Sequence, residues 1–365
     1  MAERTIISAA SLYADALTPH EHGNNVSTFP TPIIPDVLHM NDAPPIVAIR
    51  SLPTPRISIV GVGGAGMNAL NHFGTIAGEG ATIRRIALNT DAQTLAHSTA
   101  DERFCLGESI TQGTGAGGNP QVGERAAEAS RHHIATLLRG SDLVFILAGL
   151  GGGTGTGAGP IVAQVAREMG ALTIGMVTLP FSFEGTRRRH SAQQGLTRIA
   201  QSVDALIVLQ NDRLLQVATQ TQTLSDSFKL ADEALRQGIS GIADIVTVPG
   251  LINVDFADVR AILQGAGISL LAIGQASGQD RAIKAAEDAM SGGWMDVDIQ
   301  GARRVLLHIT GSADMSLHEV TEIASRIAGR IDAQAEYVFG AVIDPTIGDA
   351  IRVTLVAAGL PHFAG

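Results

Sequence analysis

Several things are scarce in this sequence, and each shortage excludes a class of protein. Cysteine occurs once in 365 residues, at Cys105, which rules out an internal disulfide and suits a reducing compartment. Positive charge is in deficit: 25 Lys and Arg face 35 Asp and Glu, for a net charge of −10 and a pI of about 5.5. That balance argues against a general nucleic-acid binder. No apolar run approaches the ~20 residues that a membrane helix needs. The start, MAERT, carries mixed charge, and Asp15 interrupts the apolar stretch behind it, so no signal peptide is expected. Nowhere does GxxxxGK precede Ser or Thr, so a Walker-type ATPase is not supported. Aromatic residues make up only 4%, whereas glycine is abundant at 42 residues beside 45% hydrophobic content. Such a composition suits a soluble α/β protein with many tight loops, and the length suffices for two ordinary domains.

The chain reads in three parts. Residues 1–55 are rich in Pro, Ser, Thr and Asn, and PTPIIP and LPTP favour extended backbone, which predicts a disordered arm. His20 and His22 in that arm read as solvated tail in preference to a weak metal pair. Residues 56–224 alternate strand-length apolar runs (ISIV, RIALN, DLVFILA, LTIGMVTL, DALIVLQ) with helical stretches such as GERAAEASRHHIATLLRG and PIVAQVAREMG. This alternation predicts a doubly wound parallel sheet with its ligand at the carboxyl ends of the strands. In residues 225–248, Phe228, Ala231, Leu235, Ile239 and Ile242 recur at helical spacing, predicting one helix of roughly 36 Å that links two domains. Residues 249–360 hold LLAIG, RRVLLHIT, EYVFGAV and AIRVTLVA with two helical stretches between them, a smaller α/β domain. Residues 361–365 form a short tail.

Glycine is not spread evenly. Seven glycines fall between Gly149 and Gly159. Each costs roughly 0.5–1 kcal/mol relative to alanine in an ordered element, so the stretch is expected to need bare backbone for a ligand. Four loops point to one pocket: GVGGAGMN, LNTDAQ, QGTGAGGNP and GGGTGTGAGP. The first matches the dinucleotide fingerprint at Gly61, Gly63 and Gly66, with Asp91 at the expected distance. Three glycine loops exceed what a dinucleotide requires. Backbone N–H nests and helix N-termini around one pocket suit a triphosphate better, and Thr154 and Thr156 add hydroxyl donors.

GGGTGTGAGP resembles the signature loop of the tubulin/FtsZ family. GVGGAGMNAL, ALNTDAQ, PFSFEGTRRR and PGLINVDFADVR resemble FtsZ in the same order, from Arg56 to about Leu360. The resemblance implies a tubulin/FtsZ-like fold: a doubly wound parallel-sheet GTP-binding domain, a long central helix, and a smaller α/β domain that serves hydrolysis and polymerisation. It implies GTP or GDP in the pocket. Gly63, Gly64, Ala65, Gly66 and Met67 would wrap the phosphates with Asn68 beside them, and Asn89 and Asp91 would share the pocket. Ala116 and Gly117 would line the γ-phosphate, and Gly152, Gly153, Thr154, Gly155 and Thr156 would bind the phosphates too. Glu184 and Arg188 would contact ribose and nucleotide. Asn211 and Asp232 would read the guanine edge, whose donor pair a carboxylate accepts, while Phe228 stacks on the ring. By pattern alone, TRRRH is a solvated helix face and Phe228 a core residue. Mg²⁺ is expected on the phosphates and water without direct protein ligands, because the loops offer almost no fixed positive charge; a monovalent cation is a further expected companion.

No acid within the glycine loops is placed to orient a water. Asn253, Asp255 and Asp258 in NVDFADV are the candidates. By pattern, Asn253 or Asp255 is the N-cap of the following helix. The resemblance implies instead that this loop enters the next subunit's nucleotide site and supplies the catalytic groups. It further implies a head-to-tail homopolymer, a heterologous contact that need not close, working in a division ring at mid-cell in the cytoplasm. A second reading is a tailless paralogue that binds GTP and co-assembles with another FtsZ copy, or scaffolds with little turnover. A third, an NAD-dependent enzyme built on GVGGAG, leaves two glycine loops unexplained. FtsZ proteins usually continue into a linker and docking peptide, whereas this chain stops at AAGLPHFAG. Division partners and membrane adaptors are therefore left open, and neither nucleic acid nor direct membrane insertion is expected.

Overall fold

Alternation within the first strands shows why they read as continuous apolar runs. Ile57 and Ile59 of strand β1 (Ile57–Val62) enter one buried cluster, while Val60 and Val62 enter another on the opposite face. In β4 (Leu143–Gly149), Phe145 and Leu147 likewise oppose Val144 and Ile146. A strand buried on both faces has no polar side, as parallel sheets under two helical layers require.

A computed structural model describes residues 54–73, 83–213, 224–248, 250–291 and 299–360. The expectations for residues 1–53, His20 and His22 included, and for residues 361–365 lie outside them. Between β1 and β4 run α1 (Gly63–Asn71), β2 (Ile83–Asn89), α2 (Ala92–Ala96), β3 (Glu102–Cys105), α3 (Glu108–Thr111), α4 (Pro120–Ala129) and α5 (Arg131–Leu138). After β4 follow α6 (Thr154–Glu168), β5 (Leu172–Leu179), α7 (Thr186–Ser202), β6 (Ala205–Gln210) and the long α8 (Leu224–Thr247). The remainder is α9 (Phe256–Leu263), β7 (Gly267–Ser277), α10 (Arg281–Met290), β8 (Arg304–Gly311), α11 (Leu317–Ala328), β9 (Glu336–Ile343) and β10 (Ala350–Ala358).

The strand order is β3-β2-β1-β4-β5-β6-β7-β10-β8-β9. Pairing is parallel from β3 through β7, β10 runs antiparallel to both its neighbours, and β8 pairs parallel with β9. Only Ala205–Gly267 and Leu206–Ile268 join β6 to β7, so the two halves of the sheet meet over a short seam. Leu235, Ile239 and Ile242 bury the inner face of α8. Gly238 and Gly241 let that helix lie close, since a Cβ there would meet Leu271 and Thr354 at 2.2 and 2.8 Å.

Three details depart from expectation. The stretch expected as one helix from Gly123 to Gly140 breaks at Ser130, whose hydroxyl accepts from the Gly107 N–H at 2.8 Å. Strand β3 carries too little apolar pattern in ERFC to be marked in the sequence. Finally, much of the glycine-rich sequence is helix: α1 begins at Gly63 and α6 at Thr154. Several glycines there serve close packing. A Cβ on Gly66 would lie 2.1 Å from the Leu147 carbonyl oxygen, and one on Gly157 would lie 2.0 Å from that of Pro120.

Candidate functional site

The strand order reverses between β1 and β4, the crossover point where an open parallel sheet leaves a crevice at its carboxyl edge. A cavity of about 430 Å³ lies there, within the usual size range of small-molecule sites. Its floor is the end of β1 at Val62 and of β4 at Ala148 and Gly149, and Thr178 at the end of β5 adds one wall.

Two helices begin at this cavity. Gly63 holds φ +73° and opens α1, and a Cβ on it would lie 2.9 Å from the Gly155 N–H nitrogen at the start of α6. The two N-termini therefore sit side by side. Neither has a side-chain cap or an acidic residue in its first turn. Elsewhere, α2, α4, α9 and α11 are capped by Asp91, Asn119, Asp255 and Ser316, while α3, α5, α7 and α10 also lack a side-chain cap. What sets α1 and α6 apart is that their starts meet at one cavity. Uncapped helix starts leave N–H donors and positive dipole ends unmatched, and two of them side by side suit an anion. A Cβ on Gly64 or Gly152 would meet nothing within 4 Å; both line the cavity, where bare backbone leaves room for a ligand.

The cavity brings together Gly64, Ala65, Gly66, Asn68, Gly152, Gly153, Thr154, Gly155, Glu184, Arg188, Asn211 and Asp232 from the sequence-based set. Thr154 Oγ1 lies 2.7 Å from Thr90 Oγ1. Arg188 pairs with Glu184, so the cation at this wall is already matched. Asn211 is buried, and its Oδ1 has no protein partner, an acceptor that a ligand donor would satisfy. Burial raises the Asp232 carboxyl to about 6, although His72, 3.1 Å away, pulls it down.

Other residues of that set lie outside the cavity lining. Met67 is buried beneath it and accepts from Asn89 Nδ2 at 3.4 Å, while Asn89 Oδ1 accepts from the Thr90 N–H at 2.8 Å. Asp91 caps α2, and the Thr94 hydroxyl and amide hold its carboxyl below the usual range. Thr156 is buried and its hydroxyl accepts from the Gly151 N–H at 2.8 Å, so it fastens the turn. Ala116 abuts Gly153, where a Cβ would lie 2.8 Å from its own, and Gly117 sits in the same loop with φ +57°. Phe228 belongs to α8, but its side chain lies outside the described residues. Thr178, Pro180, Leu150 and Leu235 line the cavity without having been marked by motif; the first three sit at or just past strand ends, where the carboxyl-edge rule points. Among the described residues, no group of three or more His, Cys, Asp or Glu side chains is gathered to hold a metal ion. Nor is any described helix long and apolar enough to cross a membrane.

The three residues of NVDFADV sit elsewhere. Asn253 Oδ1 accepts from the Gly250 N–H at 2.6 Å. Asp255 caps α9 and shares a reciprocal capping box with Asp258, at 2.9 and 3.2 Å. Both carboxylates are exposed. Two residues on, Arg260 reaches the carbonyls of Asp142 and Gly170, at 3.3 and 3.5 Å, which precede β4 and β5. The acids therefore lie toward the amino ends of strands whose carboxyl ends line the cavity. The eight residues of β5 alone separate the two levels by about 26 Å.

Residues 56–219 match the family described as Tubulin/FtsZ family, GTPase domain, and residues 267–361 match FtsZ family, C-terminal domain. Among solved structures, the chain is similar to an empty FtsZ dimer from M. jannaschii, with 41% identity and a TM-score of 0.78 over 84% of this chain and 88% of that one. A GTPγS-bound protofilament of CetZ2 from Haloferax volcanii shares the fold at 22% identity, with a TM-score of 0.74 over 85% of this chain and 94% of that one. A GDP-bound monomer of CetZ1 from the same organism does so at 21% identity and a TM-score of 0.73, over 85% and 96%.

Proposed function

We propose that this chain, which belongs to the tubulin/FtsZ family, binds GTP in the cavity between β1 and β4 and hydrolyses it only when subunits join head to tail. The observation that carries the reading is the pair of uncapped helix N-termini at one end of the sheet, with exposed carboxylates at the other. The phosphates would lie against the backbone N–H groups of Gly64, Ala65 and Gly152 to Gly155, and Thr154 would donate its hydroxyl. Asn211 and Asp232 would take the guanine edge. Mg²⁺ fits the phosphate end, where the Arg188 charge is already matched by Glu184, and would neutralise charge that develops in transfer. Asp255 and Asp258, too far from their own cavity, would meet the nucleotide of the adjoining subunit, where they position the attacking water. That a similar FtsZ has been solved as a dimer supports self-association. The FtsZ likeness supports a role in a cytoplasmic division ring, and a paralogue that binds GTP and co-assembles or scaffolds with little turnover is the alternative.

Dilution tests the shared site. Activity per subunit should be near zero below a critical concentration and rise above it. Thr154→Ala should weaken GTP binding roughly 10- to 100-fold, the loss of one hydrogen bond to a charged group, yet still present its acids. Mixed with Asp258→Asn chains, it should restore hydrolysis beyond that of either alone. Constant specific activity on dilution, with no gain in co-sedimenting mixtures, would refute the arrangement.

The Asp232 carboxyl also predicts a pH dependence. Its folded value of about 6 stands above the ordinary 3.8. The unliganded protein therefore holds this group's stabilisation below about pH 3.8 and loses it as pH rises through about 6. Guanine donors favour the ionised form, so nucleotide affinity should fall as pH drops through about 6, with proton release on binding in that window. Calorimetry in buffers of different ionisation enthalpy measures the release, which Asp232→Asn should remove; an unchanged release would contradict the assignment.

A further inference from the structure

No motif marks His72. It is the C-cap residue of α1, one turn beyond Asn68, and about half exposed. Its Nδ1 lies 2.9 Å from the Asn68 carbonyl oxygen and 3.1 Å from Asp232 Oδ2. Both neighbours are acceptors, so Nδ1 carries the hydrogen and donates it toward them. The Asp232 side chain is only 15% exposed and lines the cavity. Its charged neighbours on α8 are Lys229, Glu233 and Arg236, and Glu233 is held by Arg236 at 2.5 Å and by Gln237 at 2.8 Å. The other charges at the cavity are Glu184 and Arg188, paired with each other.

We propose that His72 is a positioning residue for base recognition: it holds one oxygen of Asp232 through Nδ1–H, leaves the other for the ligand's N–H edge, and by that hydrogen bond favours the ionised carboxylate. The proposal rests on the reading of this cavity as a guanine-nucleotide site. The geometry gives it a chemical logic. A carboxylate this buried is disfavoured as an anion by desolvation, and the imidazole N–H beside it offsets part of that penalty. Affinity for the base then depends on a residue that does not touch it.

The test is GDP affinity by calorimetry from pH 5 to 8 for the unaltered protein and for His72→Ala, His72→Gln and His72→Lys. At neutral pH, His72→Ala should bind roughly fivefold more weakly, the worth of one partly exposed charge-assisted hydrogen bond. Its loss of affinity on acidification should also begin at higher pH. His72→Gln, a neutral donor, should recover most of the neutral-pH affinity. With its permanent cation, His72→Lys should move the acid loss to lower pH. The titration of GDP's own phosphate is common to all variants and cancels in the comparison. A purely packing role predicts the same factor at every pH, and that result would overturn the proposal, as would no change in folded His72→Ala and His72→Gln proteins. Comparing GDP with IDP, which lacks the 2-amino group, separates the two levels of inference. If Asp232→Asn keeps the preference for GDP, the base assignment itself fails, and the role of His72 with it. If Asp232→Asn loses that preference while every His72 variant matches the unaltered protein, the role of His72 alone fails.

Discussion

An Asp258→Asn protein is expected to bind GTP as the unaltered protein does, to form filaments, and to hydrolyse GTP at least about a hundredfold more slowly, within the range lost when a positioned acid–base group is removed. The substitution is chosen for the cap. Asp258 Oδ2 accepts from the Asp255 N–H at 3.2 Å, and Asp255 Oδ1 accepts from the Asp258 N–H at 2.9 Å. Asparagine keeps a carbonyl oxygen for the same bond, so α9 should stay capped. Removing the charge alone then separates the capping role that the structure gives Asp258 from the catalytic one that the family resemblance implies. If Asp258 were only part of a cap, the variant would be active and only slightly altered in stability. Sedimentation and phosphate release on the same samples give the answer: filaments without turnover support the shared site, and filaments with ordinary turnover end it. Exposure of both carboxylates and their distance from their own cavity make the first result the expected one.

The second large effect separates glycines within one motif. Gly157→Ala should destabilise the fold by about 3 kcal/mol or more, in the range of severe core overpacking. On helix propensity alone alanine is better than glycine by roughly 1 kcal/mol, so the sign comes entirely from packing. The new methyl would stand 2.0 Å from the Pro120 oxygen and 2.7 Å from the Glu124 nitrogen. Both are backbone atoms of α4, so relief requires moving a helix. Gly152→Ala should leave thermal unfolding of the unliganded protein nearly unchanged, because nothing lies within 4 Å of its Cβ, yet should weaken nucleotide binding severalfold. Equal melting temperatures for the two variants would show that the crossing of α4 and α6 is looser than the structure has it.

That contrast also marks how far the sequence is legible. The buried strands of the first half are plain in it, because an uninterrupted apolar run of that length, bounded by glycines, suits little besides a strand covered on both faces. The long helix is plain because five apolar positions keep its period. The glycine stretches are only half legible. Composition reveals that the backbone must be bare, but not whether a helix or a ligand needs the space, and Gly66 and Gly157 meet protein where Gly64 and Gly152 meet the cavity. Thr156 shows the same limit: its hydroxyl is committed to the Gly151 N–H, a contact that spacing cannot foretell. His72 is invisible from sequence because its partner lies 160 positions away on α8, and only the fold brings the two together. Asp255 is legible twice over, as the cap it is in the structure and as the acid that the family resemblance suggests.

A parallel sheet has an arrow, and here that arrow passes into the assembly. The cavity opens where β1, β4 and β5 end, and the carboxylates of α9 stand near where β4 and β5 begin. Under the shared-site reading, a row of n subunits contains n cavities but only n − 1 completed ones. The last cavity faces solvent: it can exchange its nucleotide and cannot consume it. Turnover per subunit therefore rises with length, from half its limiting value in a pair toward the full value in a long row. Breaking a filament would silence one site at each cut, so a severing factor would lower total hydrolysis without touching a single active residue.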